Sequence, residues 1–280
     1  MHQAIVQSML AQPFRRQADL EDLVQRCRRA AHGRDLHREP LSRIVGLINE
    51  TLGDFDMEIR SGMDEETGES WWAMVNTGDD PLASMIASTH STSELIFLNR
   101  LLRRMIYDRG GKRYSIGSIC ALGERPAQGC TRMEAQRILD QFVQERWLDL
   151  SPDGRYCIAL RTLLELGPYL KDKYEEEIAE CTLCMDLVTR GRRCPNGQCV
   201  VRLHHFCATR YFSELPSLAQ VCLTCKTPWP NGVGKVFGVS LTREWGAEDY
   251  EEEEEEEGGM QEEEEGEEGT VVQGLPAADA

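Results

Sequence analysis

No stretch of this sequence approaches the ~20 consecutive apolar residues that a membrane-spanning helix needs. Its amino terminus, Met1 to Arg16, has no signal-peptide layout, and the two absences together argue against a secreted or membrane protein. No P-loop, dinucleotide fingerprint or Ser-His-Asp arrangement stands out either. Paired thiols fit poorly: the cysteine count is odd, eleven, and without a secretory signal that argues against a disulfide framework. Basic residues are missing altogether from Glu248 to Ala280, a stretch that holds 16 of the 48 acidic residues. The other 32 meet 31 Lys and Arg over residues 1–247. The net charge of −17 therefore describes a tail on a nearly neutral body, and it neither favours nor excludes nucleic acid as a partner of that body. Residues 239–280 have too little apolar mass to offset the entropy of ordering and are expected to form a disordered acidic tail, with Glu251 to Glu257 as a solubilising run.

What is present suits two to three small domains, since 280 residues with 41% hydrophobic and 28% charged side chains can bury a core. Residues 1–85 show Ile5, Val6, Met9 and Leu10 as a short helical stripe. Leu20, Leu23, Val24 and Cys27 follow at helical spacing, with Asp19 expected as N-cap. Pro40 opens a third helix (Leu41, Ile44, Val45, Ile48, Leu52) that Gly53 is expected to end. Alternation at Phe55, Met57 and Ile59, a polar loop from Ser61 to Ser70, and Trp71 to Val75 read as a β-hairpin. Three helices and a hairpin are the order of a winged helix-turn-helix.

Residues 86–170 repeat that order. Ser91 with Glu94, and Thr131 with Glu134, are capping boxes. They open the stripes Leu95, Leu98, Leu101, Leu102, Met105, Ile106 and Ala135, Ile138, Leu139, Phe142, Val143. Gly110–Gly111 stops the first of these helices, and Tyr114 to Leu122 is a short connecting element. Ser151–Pro152–Asp153–Gly154 turns a second hairpin. Leu163 to Ile178 reads as helical, with Gly167–Pro168 expected to break or kink it and a charged linker helix over 171–180. Trp71, Trp72 and Trp147 read as core.

Seven cysteines fall between Cys181 and Cys225, in the pattern Cys181-x2-Cys184-x9-Cys194-x4-Cys199-x4-His204-x2-Cys207-x14-Cys222-x2-Cys225. These are eight soft S and N donors, enough for two closed tetrahedral zinc sites that leave no position for water, so the two Zn2+ ions are structural. His205 rivals His204, but only His204 gives the His-x2-Cys spacing. Spacing alone does not say which pairs share an ion. Val188, Val200, Leu203, Phe206 and Phe212 are the candidate core of a segment too short to fold without metal, whose binding is worth ~10–16 kcal/mol in small zinc peptides. Cys27, Cys120, Cys130 and Cys157 stand outside the pattern as ordinary thiols.

Four Cys, one His and three Cys fit a variant RING finger or a PHD finger. A PHD finger usually has an aromatic residue where this chain has Gln220, and a RING usually has an aliphatic residue where it has Leu183, so both details favour RING. The wider layout resembles the non-SMC element 1 family, a subunit of the SMC five/six chromosome-maintenance complex. The matching stretches are Phe142–Val143–Gln144–Glu145–Arg146–Trp147–Leu148; His204–His205–Phe206–Cys207–Ala208 with Tyr211–Phe212; Cys222–Leu223–Thr224–Cys225 with Trp229–Pro230 and Lys235–Val236–Phe237; and Glu65–Glu66–Thr67–Gly68 leading to Ala73–Met74–Val75–Asn76. The resemblance covers roughly residues 1–238. It implies an α+β chain with winged helices at 1–85 and 86–170 and a RING-like finger at 181–238. Within the finger it implies interleaved ligands: Cys181, Cys184, His204 and Cys207 on one zinc, Cys194, Cys199, Cys222 and Cys225 on the other. It also implies a MAGE-type element 3 partner, a kleisin element 4 subunit, a chromosome-associated nuclear location, and ubiquitin ligase activity that depends on the partner.

In such a ligase the conjugating enzyme carries the thioester and the RING only orients it. Leu183 would be the apolar contact, Leu215 and Pro216 would extend the groove, and Lys226 would steady ubiquitin. Two departures weaken the isolated chain: Leu223 stands where many active RINGs have Pro, and Lys226 makes fewer directed hydrogen bonds than Arg. The alternatives are a scaffold whose finger is only an interaction surface, a PHD-like chromatin reader, and a DNA-binding factor. The candidate recognition helix, Thr131 to Arg146, balances Arg132, Arg137 and Arg146 against Glu134, Asp140 and Glu145. A better basic patch is Arg100, Arg103, Arg104, Arg109, Lys112 and Arg113, open to a DNA contact made through the complex.

Overall fold

A computed structural model describes residues 1–30, 39–78, 90–107, 114–125, 130–175, 177–216, 219–229 and 234–241. All of them belong to one unit, Met1–Asp249. The Gly110–Gly111 stop, Arg109, Lys112 and Arg113 of the basic patch, and the acidic run Glu251 to Glu257 lie outside the described residues.

The first apolar stripes fold as α1 (His2–Ala11), α2 (Gln17–Ala30) and α3 (Leu41–Leu52). They pack on a sheet of β1 (Phe14–Arg16), β2 (Met57–Met63) and β3 (Ser70–Asn76), in the antiparallel order β1-β3-β2. Ile5, Met9, Leu20, Val24, Ile44, Val45, Ile48, Ile59, Trp72 and Met74 form one core. Asn49 pins α3 to β2: its side-chain amide accepts from Ile59 N (2.9 Å) and donates to Ile59 O (3.0 Å). Asp19 is the third residue of α2, not its cap, where its charge favours the helix N-terminus. Leu10 is exposed, so the α1 stripe narrows to Ile5 and Met9. α3 ends at Leu52 with Gly53 as its C-cap, as expected; a 3-10 turn, Gly53–Phe55, follows, and Asp56 takes the left-handed conformation (φ 53°). Phe55 is in that turn and exposed, and the strand begins only at Met57.

The second set comprises α4 (Thr92–Tyr107), β4 (Ser115–Gly117), α5 (Ser118–Gly123), α6 (Arg132–Gln144), β5 (Leu148–Leu150) and β6 (Arg155–Ile158), with sheet order β4-β6-β5. Both capping boxes form. Glu134 N donates to Thr131 Oγ1 at 3.2 Å while Thr131 N donates to Glu134 at 2.8 Å. Ser91 N donates to Glu94 at 2.7 Å.

Helix α7 (Leu160–Lys173) runs through Gly167–Pro168 without a break and ends at Lys173, inside the 171–180 stretch expected as a linker helix. The lost backbone bond at Pro168 is outweighed by packing: Leu166 and Leu170 are buried, and Leu164 lies against Gly62 of β2. The core of the second set continues through Leu166, Leu170, Tyr174 and Ile178 into Cys181, Leu187, Val188, Val201, Leu203, Phe212 and Trp229. The last segment carries β7 (Gly191–Arg193), β8 (Arg202–Leu203), α8 (His205–Ser213) and β9 (Lys235–Phe237), order β8-β7-β9. Val200, expected in its core, is 82% exposed, and its neighbour Val201 is buried instead. The chain stays packed past the expected start of the tail: Val239 and Ser240 are buried, and Leu241 N donates to Glu66 at 2.7 Å.

Candidate metal centres

Each Cys-x-x-Cys sits on a tight knuckle. Cys181 N donates to Asp186 O and Met185 N returns to Cys181 O, both at 2.8 Å. In the other knuckle Cys222 N donates to Thr227 O (2.8 Å) and Lys226 N to Cys222 O (3.3 Å). The residue after each second cysteine, Met185 (φ 64°) and Lys226 (φ 62°), takes the left-handed conformation that turns the chain back. His204 is the N-cap of α8 and Cys207 lies in its first turn, so one helix start presents both.

Two quartets result. The donor atoms of Cys181, Cys184, His204 and Cys207 all lie within 4.8 Å of one another, and so do those of Cys194, Cys199, Cys222 and Cys225. His204 Nδ1 is 3.3 Å from Cys184 Sγ and 3.9 Å from Cys207 Sγ. Its Nε2 is 3.0 Å from Leu187 O, so Nε2–H donates outward and the Nδ1 lone pair faces the thiols. Cys194 and Cys225 Sγ are 3.5 Å apart, Cys199 and Cys222 3.7 Å. A tetrahedron with ~2.3 Å metal–sulfur bonds has edges of about 3.8 Å, so these spacings suit one ion per quartet. His205 is turned elsewhere: its Nδ1 accepts from Arg192 Nε at 3.1 Å.

The thiols' proton affinities fit the same reading. The Cys207 thiol donates to Cys181 and pulls it down to about 3, and the same bond pushes Cys207 up. Burial pushes Cys184 up to about 11 and Cys194 up to about 12. Thr227 holds Cys225 down to about 6. Cys181 thus ionises readily beside Cys184 and Cys207, and Cys225 beside Cys194 and Cys199, whose raised thiols resist until a cation compensates them. Cys157, by contrast, is buried and pushed up to about 11 by that burial, which makes it an inert thiol.

Leu183 is 36% exposed on the first knuckle, with Met185 (61%) two residues on. Leu215 is half-buried after α8, and Pro216 is exposed. The Lys226 head folds back, Nζ donating to Leu223 O at 3.0 Å. These four residues sit on three separate segments, and among the described residues no hydrogen bond joins them.

A buried polar knot beside the first quartet has no counterpart in the sequence reading. Glu65, on the β2–β3 turn, is 4% exposed. Its carboxylate accepts from Thr189 N and Thr189 Oγ1, both at 2.6 Å, and from Arg190 N at 3.3 Å. It pairs with Arg190 Nε at 3.2 Å and lies 3.8 Å from His204 Nε2. Arg190 also reaches Asp149 Oδ2 (3.4 Å) and the Ile158 carbonyl. Burial opposes its charge, but the carboxylates of Glu65 and Asp149 outweigh it and hold the guanidinium protonated. A Cβ at Gly68 would press on Phe206, and one at Gly238 (φ 74°) would run into the Thr189 carbonyl. One guanidinium therefore ties the first hairpin, the second hairpin and the metal-binding segment together. Glu65–Glu66–Thr67–Gly68 is marked in sequence by resemblance alone; its composition is that of a polar turn, and only the tertiary contact buries Glu65.

The two interleaved Cys/His quartets lie within residues 181–225, which a RING-like domain model matches, so the chain is of the RING-like finger class. A family model described as "Nse1 non-SMC component of SMC5-6 complex" matches residues 2–166, and the chain belongs to that family. It is 26% identical over 246 residues to the non-structural maintenance of chromosomes element 1 homolog of Bos taurus, covering 88% of this chain and 90% of that protein. The Homo sapiens homolog is 25% identical over the same shares. The element 1 protein of Schizosaccharomyces pombe is 27% identical over 190 residues, 67% of this chain and 76% of that one. A solved chain titled "Nse1-Nse3-Nse4 complex" superposes with a TM-score of 0.69 at 26% identity, covering 82% of this chain and 96% of that chain.

Proposed function

We propose that the chain is the RING-type ubiquitin ligase subunit of an SMC5-6 complex, nuclear and chromosome-associated. The observation that carries this reading is the pair of interleaved quartets within a RING-like domain of an Nse1-family chain. The ions are two Zn2+, one on Cys181, Cys184, His204 and Cys207, the other on Cys194, Cys199, Cys222 and Cys225. Zinc would supply rigidity and no reaction step, because protein donors close each site. Residues 1–85 and 86–170 are winged helices that hold a MAGE-type element 3 subunit and, through it, a kleisin element 4. The solved relative titled as an Nse1-Nse3-Nse4 complex supports those partners.

In this mechanism the chain's residues bind and orient. Leu183 is the apolar contact for the conjugating enzyme, and exposed Met185 widens it. Leu215 and Pro216 extend the groove, and Lys226 steadies ubiquitin. Restricting the loaded enzyme's freedom speeds attack by the substrate lysine. Leu183→Asp is expected to abolish ubiquitin transfer while zinc content stays at two per chain. Unchanged chain formation with a panel of conjugating enzymes and the MAGE-type partner would refute the contact. A scaffold role is the second reading, favoured by the Lys226 head being engaged with its own knuckle. Autoubiquitination with and without the partner separates the two.

A further inference from the structure

The basic residues that stand together in the sequence part company in the fold. Arg104 turns to Glu124 at 4.0 Å. Arg100 and Arg103 instead meet Lys173, the last residue of α7, around a cavity of about 310 Å3 lined by Asn99, Arg100, Arg103, Tyr107, Lys173 and Tyr174. The Tyr107 and Tyr174 rings meet edge-on there, with centroids 5.7 Å apart. Arg103 lies 5.9 Å over the Tyr107 ring. The Lys173 ammonium lies 4.9 Å over Tyr169 and 5.6 Å over Tyr174. It donates to the Tyr169 hydroxyl, which donates to Asn99 Oδ1 at 3.3 Å, so a chain of hydrogen bonds across two helices holds Lys173 at the wall of the hollow. The Tyr174 hydroxyl is buried, with the Lys173 ammonium as the polar group beside it.

Acidic partners go elsewhere. Arg104 and the next α7 lysine, Lys171, pair with Glu124 and Glu180. Among the described residues Arg100, Arg103 and Lys173 have no carboxylate partner. Three like charges around one hollow without an anion repel one another. A solvated helix face accounts for Arg100 and Arg103, but not for Lys173, which comes from another helix and lines the same hollow.

We propose that this hollow binds the phosphoryl group of a phosphorylated segment of a partner protein. A phosphomonoester carries nearly two charges and three acceptor oxygens, which match two guanidinium forks and an ammonium. The volume takes one such group with part of its residue. Ile96 (49% exposed) and Tyr107 (46%) flank it on the same face of α4 and offer apolar contact to neighbouring peptide residues. Duplex nucleic acid fits less well, because three cations around one small hollow do not line a groove, and the body carries no surplus of positive charge.

The test uses the full chain loaded with zinc, and ubiquitin transfer plays no part in its readout. Phenyl phosphate, followed by backbone amide shifts, is expected to move the signals of Asn99 to Tyr107 and Tyr169 to Tyr174. A degenerate peptide pool centred on phosphoserine is expected to bind at least tenfold more tightly than its unphosphorylated twin. Arg100→Gln with Arg103→Gln, and separately Lys173→Met, should each weaken both probes at least tenfold; these side chains are exposed, so melting temperature and zinc content should stay unchanged. Absence of the shifts, equal binding of the twin, or undiminished binding by the variants overturns the site. So does a blunt 20-base-pair duplex that binds through these residues and is not displaced by the phosphorylated pool.

Discussion

Arg190 carries several obligations at once. It is buried and shared between Glu65 and Asp149, and it feeds the Ile158 carbonyl. Removing one charge from such a pair leaves the other uncompensated, a cost of about 3–5 kcal/mol. Glu65→Gln keeps the shape and most acceptors, so a loss toward about 3 kcal/mol is expected, read from the urea midpoint. Because Leu187 O remains the main acceptor of His204 Nε2–H, the variant should bind as much metal as the parent by chelator assay. A variant as stable as the parent would show that the knot is incidental. None of this is legible in the sequence, where Glu65 and Arg190 are separated by 124 intervening positions and look like surface charges. The metal donors are the opposite case. Their element types and x2 gaps announce a site before any fold is known, although the choice of His204 over His205 rests on spacing and the pairing on resemblance.

Among the elements, helices declared themselves where a cap and a stripe coincide. Thr131 and Glu134 bond reciprocally at the start of α6. Thr131→Ala should cost about 1 kcal/mol in thermal or urea unfolding. Glu134's carboxyl lies below its usual range because the Thr131 backbone N–H, and next its hydroxyl, bond the charged form. Its contribution is therefore present above the unfolded pKa and is lost as pH falls through the lower folded one. A Thr131→Ala variant whose unfolding midpoint matches the parent's would dismiss the cap as a stabilising feature. Strand Phe14–Arg16 is the element that periodicity cannot find. Three residues show no alternation, and what recruits them is β3, whose Ala73 faces Phe14 and whose Trp71 faces Arg16. Trp71 also stacks on Phe14, with centroids 4.6 Å apart. The unbroken α7 makes the complementary point. Proline's local penalty is real, but burial of Leu166 and Leu170 decides the outcome.

For the whole molecule, the consequential fact is that the two apolar cores do not follow the three expected segments. One core belongs to residues 5–74, while the other runs from Leu95 to Phe237 and includes Cys181, Cys194, Cys199 and Cys222. Stripping the metal should therefore loosen more than the finger. Hydrogen exchange after chelation is expected to show lost protection over 181–237 and weakened protection at Leu166 to Ile178, with Ile5 to Ile48 unaffected. Full protection at Leu166 to Ile178 would mean that the second set stands alone. The same sharing changes what a fragment can reveal. Excised at residue 181, the RING-like piece would carry Arg190 into water without either carboxylate, bare one flank of Leu187 and Phe206, and leave the imidazole's neighbourhood unguarded, so a silent assay on that piece would report on the scissors and not on the intact chain.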